Sequence, residues 1–277
     1  MNTIETGTEE LLCRLEDRVA IITLNRPKKK NALSDHLTPA LRQTLLDLET
    51  KREVGCILIT GSGDAFCAGG DIGGMGGNAS KDEEVSERPT AEERVRALIH
   101  KQETLTLRLA DHAKPTIAAL PGVAAGAGLC IALACDIRVA CRSAFVTTAY
   151  RNIGFSGDYG GTFFMSQLIG AAKARQLYFL SERVDAQQAL DLGLTNWVCE
   201  ADELATKTKE IADQLAAGPT VAYRYMKENF ARALSSGDVD DCLDLEATHH
   251  VHCGQTEDHR NATKAFVEKR EPVFQGR

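Results

Sequence analysis

The sequence predicts an α/β fold, and three observations lead to it. Two short, continuous apolar runs, Cys56–Thr60 (CILIT) and Thr116–Leu120 (TIAAL), have the length and composition of buried parallel strands. Each run empties into a loop rich in Gly and Ala, and a helical pattern follows the loop. Strand and helix signals then keep alternating to about residue 198, which favours a parallel sheet covered by helices over an all-α or all-β chain.

Taken in order, residues 11–24 (LLCRLEDRVAIITL) alternate around Glu16-Asp17 and predict a hairpin. Asn25-Arg26-Pro27, three lysines and Asn31-Ala32-Leu33 follow. Ser34 is placed to cap a helix whose Leu37, Leu41, Leu45 and Leu48 form one apolar stripe. The strand Cys56–Thr60 opens into a Gly-rich loop over 61–77. Residues 78–90 are polar and charged and predict a mobile connection, and residues 91–112 carry a long amphipathic helical pattern. Lys114-Pro115 starts the second buried strand, a Gly/Ala turn leads into a helix over 128–134, and 136–140 predicts a third strand. No self-similar period shows a solenoid. From Asp202 onward only helical patterns remain, so the chain divides into an α/β core over 1–198 and a C-terminal helical region over 199–277, suited to contacts between subunits or to a lid.

Composition removes several function classes. Lys and Arg number 32 against 39 Asp and Glu, and the net charge of −7 disfavours non-specific binding to nucleic acid. Nine cysteines, an odd number without a C-x-x-C pair, argue against a disulfide framework or a structural zinc and suggest reduced thiols in a cytoplasmic setting. The N-terminal MNTIETGTEE lacks the basic and apolar regions of a signal peptide. The 21 uncharged residues from Pro115 to Cys135 have the length of a membrane span. Pro115, Pro121, Gly122, Gly126 and Gly128 break that run into strand, turn and helix start, so it is read as buried core with no membrane role.

The chemistry points to two small-residue loops, Ala65-Phe66-Cys67-Ala68-Gly69-Gly70-Asp71 and Pro121-Gly122-Val123-Ala124-Ala125-Gly126-Ala127-Gly128. The second opens directly into a helix, whose free N–H groups and positive dipole end favour developing negative charge. Two such donors aimed at one oxygen make an oxyanion hole. Tight packing of strand against helix would ask for the same small residues, so loop composition leaves both readings open. The spacing of Gly122, Gly126 and Gly128 is not that of a dinucleotide loop, and no Walker lysine follows.

Several separated motifs stand in register. Asn25-Arg26-Pro27, Asn31-Ala32-Leu33, Phe66-Cys67-Ala68-Gly69-Gly70-Asp71-Ile72, Lys114-Pro115, Pro121-Gly122, Gly126-Ala127-Gly128, Ala134-Cys135-Asp136, Gly160-Gly161 and the tail Ala265 to Pro272 are all present. Over about residues 11–277 the chain resembles the crotonase, or enoyl-CoA hydratase/isomerase, family. That resemblance implies a spiral of β-β-α repeats with a C-terminal helical trimerisation region, assembled as a homotrimer or a dimer of trimers. It implies an acyl-CoA thioester as substrate, with coenzyme A entering as part of it and no separate cofactor. The N–H groups of Gly70 and Ala127 would then hold the thioester oxygen. Lys28 and Lys29, with Lys30, and the loop carrying Ala68, Gly69, Asp71 and Ile72 would lie near the adenine and phosphates. Phe266 and Lys269 would complete a neighbouring subunit's CoA site. Solvated lysines, ordinary packing of Phe266 and plain surface charge at Lys269 are the competing readings.

The departures from the family pattern bear on the reaction. The resemblance places the two glutamates of the hydratases at Cys130 and Tyr150, and neither is a carboxylate. With ordinary pKa values near about 8.5 and about 10, neither side chain activates water readily at neutral pH. Asp158, between Gly157 and Tyr159-Gly160-Gly161, resembles in position the catalytic aspartate of family isomerases and the nucleophile of 4-chlorobenzoyl-CoA dehalogenase. A turn aspartate between glycines is the competing reading. The expected activity is double-bond isomerisation of an enoyl-CoA with Asp158 as proton shuttle. A hydratase using Asp158 and Tyr150, a hydrolase or dehalogenase using Asp158 as nucleophile, and a non-catalytic acyl-CoA binder are the alternatives. Cys130 is either a thiol nucleophile or a small core filler. His249, His250 and His252 beside Cys253 lack a second ligand group at zinc spacing, so no metal site is expected, and His100 reads as a helix-surface residue.

Overall fold

The computed structural model describes residues 2–71 and 89–277. Ile72, the end of the Gly-rich loop and most of the polar stretch 78–90 lie outside the described residues.

Among the described residues, seven strands form one sheet in the order β1-β2-β3-β4-β6-β8-β11. Strands β1 (Asn2–Ile4), β2 (Leu11–Glu16) and β3 (Val19–Leu24) are antiparallel, with Leu11 opposite Leu24 and Glu16 opposite Val19. The hairpin turn falls on Asp17-Arg18, one residue later than the alternation suggested. Both residues take positive φ (45° and 69°), as a two-residue turn matching the strand twist requires. From β3 onward the pairing is parallel, through β4 (Cys56–Gly61), β6 (Thr116–Leu120), β8 (Ile137–Cys141) and β11 (Trp197–Cys199).

A second, smaller sheet runs β10-β9-β7-β5. In it β5 (Ala65–Cys67), β7 (Val123–Ala125) and β9 (Phe145–Thr147) are parallel, and β10 (Val184–Asp185) is antiparallel to β9. The pairs β4-β5, β6-β7 and β8-β9 each give one strand to each sheet, and each pair is followed by a helix. Those helices are α2 (Ala91–Gln102), α3 (Ala127–Ala134) and α4 (Gly161–Leu180), so the chain winds as a spiral of β-β-α repeats.

Helix α1 (Leu37–Glu49) crosses from β3 to β4 and is capped as its sequence suggests. Ser34 Oγ accepts from the N–H groups of Leu37 at 3.0 Å and His36 at 3.3 Å, and Leu37, Leu41, Leu45 and Leu48 are fully buried. Helix α2 does not run unbroken to residue 112. It passes into a π turn over Glu103–Leu107 and closes with a short turn, Arg108–Ala110. All eight residues of α3 are buried, which is why its sequence (AGLCIALA) shows no polar face. The uncharged run 115–135 therefore folds as β6, β7 and α3 within the core. Among the described residues no helix is long and apolar enough to cross a membrane.

Beyond α5 (Ala186–Leu192), helix α6 (Leu204–Ala216) packs on β3, β4, β6 and β8 with Leu204, Ala212 and Ala216 in the core. The first helix of the 199–277 region thus covers the main sheet. Helices α7 (Thr220–Ser236) and α8 (Val239–Gly254) form an antiparallel pair, and α9 (Glu257–Val267) follows. An ion pair ties this layer to the spiral. Lys227 Nζ of α7 donates to Asp136 Oδ2 at 2.8 Å, and the same oxygen accepts from Thr116 N–H and Oγ1 at 2.8 and 2.9 Å.

Candidate active site

Strands β5, β7 and β9 run parallel, so the chain leaves all three at the same end of the small sheet. Ligands commonly bind at such C-terminal strand ends. The segments leaving them are Ala68–Asp71, Gly126–Ala127 and Thr148–Tyr150, and Gly126 N–H donates to Thr147 O at 3.1 Å. Gly69 permits the close approach of the first two. A β-carbon there would lie 2.9 Å from Ala125 O and 3.6 Å from Ala127 N, and its φ of 92° disfavours any side chain.

The orientation of two backbone donors follows from this arrangement. Leu33 bridges Gly70 in parallel fashion, with Leu33 N–H donating to Gly69 O at 2.8 Å and Asp71 N–H donating to Leu33 O at 3.1 Å. Alternation along extended backbone then turns the N–H of Gly70 itself to the opposite side. Ala127 opens α3, where an N–H has no intrahelical partner. Among the described residues neither N–H has a hydrogen-bond partner, and both residues border one pocket of about 370 Å³.

Asn31 explains why its motif stands where it does. Buried and at φ 56°, it accepts at Oδ1 from Arg26 N–H (2.8 Å) and Ser62 Oγ (3.3 Å), and its Nδ2 donates to Ser62 O (3.0 Å) and Ala65 O (2.8 Å). This pins the loop after β3 to the start of β5. Arg26 pairs with Asp71 Oδ2 at 3.0 Å and Glu10 Oε1 at 3.2 Å, so Asp71 holds the loop through its carboxylate. Ala68 N–H donates to Lys30 O at 3.0 Å, which stitches the lysine run to the Ala68–Asp71 loop.

Of the residues expected near the adenine and phosphates, Ala68 and Gly69 border the pocket and Lys28, Lys29 and Asp71 do not, while Lys28, Lys29 and Ala68 are exposed. Phe266, on α9, is 84% exposed, and Lys269 lies just beyond that helix. Neither borders the pocket within this chain.

The acid–base side of the pocket is built by α3, the turn after β9 and the start of α4. Tyr150 Oη donates to Asp158 Oδ1 at 2.6 Å. Cys130 Sγ lies 3.3 Å from Tyr150 Oη and donates to the main-chain oxygen of Asp158 at 3.5 Å. The two positions where the resemblance places glutamates therefore face each other and meet at Asp158. Burial lifts the Asp158 carboxyl above the usual carboxylate range, while the Tyr150 hydrogen bond pulls it down. Burial also pushes the Cys130 thiol up to about 12, which favours the protonated thiol that donates to Asp158 O over a thiolate. The Tyr150 phenol is raised far above its ordinary value, by burial first and then by Cys130 and Asp158, and it stays a donor.

Sequence reasoning missed the groups that support this cluster. The ring of Tyr178 stacks on Tyr150 at 5.9 Å and 13°. Any side chain at Gly161 would strike Tyr178 Oη and Cys130 Sγ. Tyr159, at φ 49°, donates its N–H to Gln102 Oε1 at 2.7 Å and so ties the Asp158 loop to α2. Aromatic residues 28 apart and a lone glutamine give no sequence signal of such contacts.

The histidines lie elsewhere. His249 contacts Asn229 Oδ1 at 2.6 Å and Glu228 Oε2 at 3.1 Å and stacks on Tyr225, joining α8 to α7. Among the described residues no three His, Cys, Asp or Glu side chains are grouped to hold a metal ion. His100 is exposed on α2.

Among the described residues, the spiral of β-β-α repeats sets the free N–H groups of Gly70 and of Ala127, at the start of α3, beside one pocket. The chain matches the family model described as Enoyl-CoA hydratase/isomerase over residues 14–277, and it belongs to that family. It is 35% identical over 256 residues to the short-chain-enoyl-CoA hydratase of Clostridium acetobutylicum, covering 92% of this chain and 93% of that one. It is 34% identical over 269 residues to the 1,2-epoxyphenylacetyl-CoA isomerase of Escherichia coli, covering 97% and 99%. Among solved structures, a putative enoyl-CoA hydratase from Streptomyces coelicolor superposes with a TM-score of 0.88 at 31% identity, over 99% of this chain and 97% of that one. The architecture is the crotonase fold.

Proposed function

We propose that this family member is an enoyl-CoA double-bond isomerase in which Asp158 carries the proton. The observation that supports it is the Cys130–Tyr150–Asp158 cluster, where one carboxylate meets a thiol and a phenol that both keep their protons. Water addition asks one group to deprotonate water and another to protonate Cα. Double-bond migration asks only for one carboxylate within reach of both Cα and Cγ. Hydratases and an isomerase are both among the similar proteins, so the side chains of this site carry the choice.

In this reading the thioester oxygen accepts from the N–H groups of Gly70 and Ala127, with the α3 dipole behind them. Asp158 takes the proton from Cα of a 3-enoyl-CoA. The C–H electron pair forms a C1–Cα double bond as the carbonyl π pair moves onto the oxygen, which carries the negative charge between the two donors. On return the carbonyl re-forms, the C1–Cα pair becomes the Cα–Cβ double bond and the Cβ–Cγ π pair takes up a proton at Cγ. Protonated Asp158 then delivers its proton to Cγ, leaving the 2-enoyl-CoA with no net gain or loss of protons. Tyr150 occupies Oδ1, which leaves Oδ2 to carry the proton.

Lys28, Lys29 and the Ala68–Asp71 loop would receive the CoA phosphates. Phe266 and Lys269 would serve a neighbour in a homotrimer or dimer of trimers assembled through the helical region beyond residue 198. The substrate brings its own coenzyme A, and nine unpaired thiols suit a reducing, cytoplasmic setting.

The test is a paired assay of the wild-type protein. Isomerisation of 3-enoyl-CoA should outpace hydration of 2-enoyl-CoA; the reverse order would favour a hydratase, and turnover of neither would favour a hydrolase or a binding protein.

A pH profile examines the base directly. Asp158 must be ionised to accept a proton, so kcat falls as pH drops through its raised pKa. Tyr150→Phe removes a hydrogen bond to the ionised form, so the acid limb of kcat should move to higher pH. An unmoved limb would assign the titration to another group.

A further inference from the structure

Arg42 lies on α1, on the wall it shares with Asp35, Thr38 and Pro39, and it borders the same pocket as Gly70, Ala127 and Asp158. Among the described residues its half-buried guanidinium has one hydrogen bond, from Nη1 to Thr104 Oγ1 at 3.3 Å, and Thr104 gives its own proton to His100 O at 2.6 Å. Thr104 belongs to the π turn of α2, an irregularity that recurs at functional positions.

Three other buried or half-buried arginines have a carboxylate or two carbonyls, while Arg18, like Arg42, has among the described residues a single hydrogen bond, from Nε to Ala216 O at 3.1 Å. Arg26 has Glu10 and Asp71, Arg108 has Glu49, and Arg138 has the carbonyls of Leu194 and Cys135. Arg42 has no carboxylate partner among the described residues, and neither has Lys101, which borders the pocket from α2. The pocket's own acids do not supply one. Neither Asp158, which accepts from Tyr150 at Oδ1, nor Asp35, exposed on the turn before α1, forms an ion pair with Arg42. The facing wall is mostly apolar, with Leu98, Ile153, Phe155 and Tyr159.

We infer that the acyl group accepted here ends in a carboxylate, bound by Arg42 with Lys101 adding positive charge. A guanidinium presents paired N–H donors that match a carboxylate, and such charge-assisted pairs gain strength away from bulk water. Leu33, bridged to Gly70, marks the thioester end, and Arg42 lies roughly 7.5 Å of helical rise along α1 from its first residue, Leu37. A dicarboxylic acyl chain of a few carbons, met by the extended arginine side chain, suits that interval. The inference rests on the acyl-CoA reading above and narrows its substrate class.

Saturated thioesters, which cannot be isomerised, separate binding from turnover. Calorimetry would compare glutaryl-CoA and adipoyl-CoA with pentanoyl-CoA and hexanoyl-CoA, on wild type, Arg42→Met and Arg42→Lys. Wild type should bind the dicarboxylic members about tenfold or more tightly, the usual gain from a hydrogen-bonded charge pair. Arg42→Met should bring the ratio near unity, and Arg42→Lys should keep part of it. Equal affinities in wild type, or a preference that survives Arg42→Met, would overturn the inference while leaving the proposed function standing. Failure of every thioester to bind wild type would overturn the acyl-CoA reading and the inference together.

Discussion

Asp158→Asn is expected to fold, to bind acyl-CoA thioesters and to lose about 10²–10⁴-fold in the isomerisation of 3-enoyl-CoA, the usual contribution of a positioned general base. The amide is nearly isosteric, and its oxygen can still accept from Tyr150 Oη, so the 2.6 Å contact that holds the loop survives the exchange. What disappears is the capacity to take a proton from carbon. The reading is therefore tested on kcat with thioester affinity as the control. Full isomerase activity in the folded variant would remove Asp158 from the chemistry, and hydration that persists unchanged would assign water addition to another group.

Gly70→Pro is the second large effect, expected to lower kcat by about 10²-fold or more through loss of one oxyanion donor. Gly70 does not occupy the positive-φ region, and its N–H takes no part in the Leu33 bridge, which uses Gly69 O and Asp71 N–H. Thermal unfolding close to wild type, together with lost turnover, would separate the donor from the scaffold. Normal turnover in a folded Gly70→Pro protein would show that the thioester oxygen lies elsewhere.

Much of the main sheet was legible because its strands are long enough to show their burial. CILIT and TIAAL read as buried strands, and the Leu37–Leu48 stripe reads as a helix face, since packing on the core imposes a period on the sequence. The small sheet was not legible. Its strands hold two or three residues each, too few for alternation to register, yet their common exit is what gathers the site. The π turn that follows α2 also left no mark in the sequence.

At the site, the roles expected of Asp158, Gly70 and Ala127 come from the resemblance to the family and not from composition or spacing. That Cys130, Tyr150 and Asp158 touch one another, and that Arg42 has no carboxylate partner among the described residues, are facts of three-dimensional pairing. A sequence shows which charges a chain carries, but not which of them meet.

The packing around Cys130 also bears on how such an enzyme can change its chemistry. Its sulfur is hemmed by Tyr150 Oη and the Asp158 carbonyl, while Gly161 and Tyr178 close the space behind. A glutamate introduced at 130 alone would meet crowding, lose its hydration and oppose the charge of Asp158. The same exchange becomes tolerable only after Tyr150, Asp158 and the residues behind them have altered. Single steps toward a two-carboxylate site thus descend before they climb, and the present arrangement is held in place by a valley in its mutational landscape as much as by its own stability.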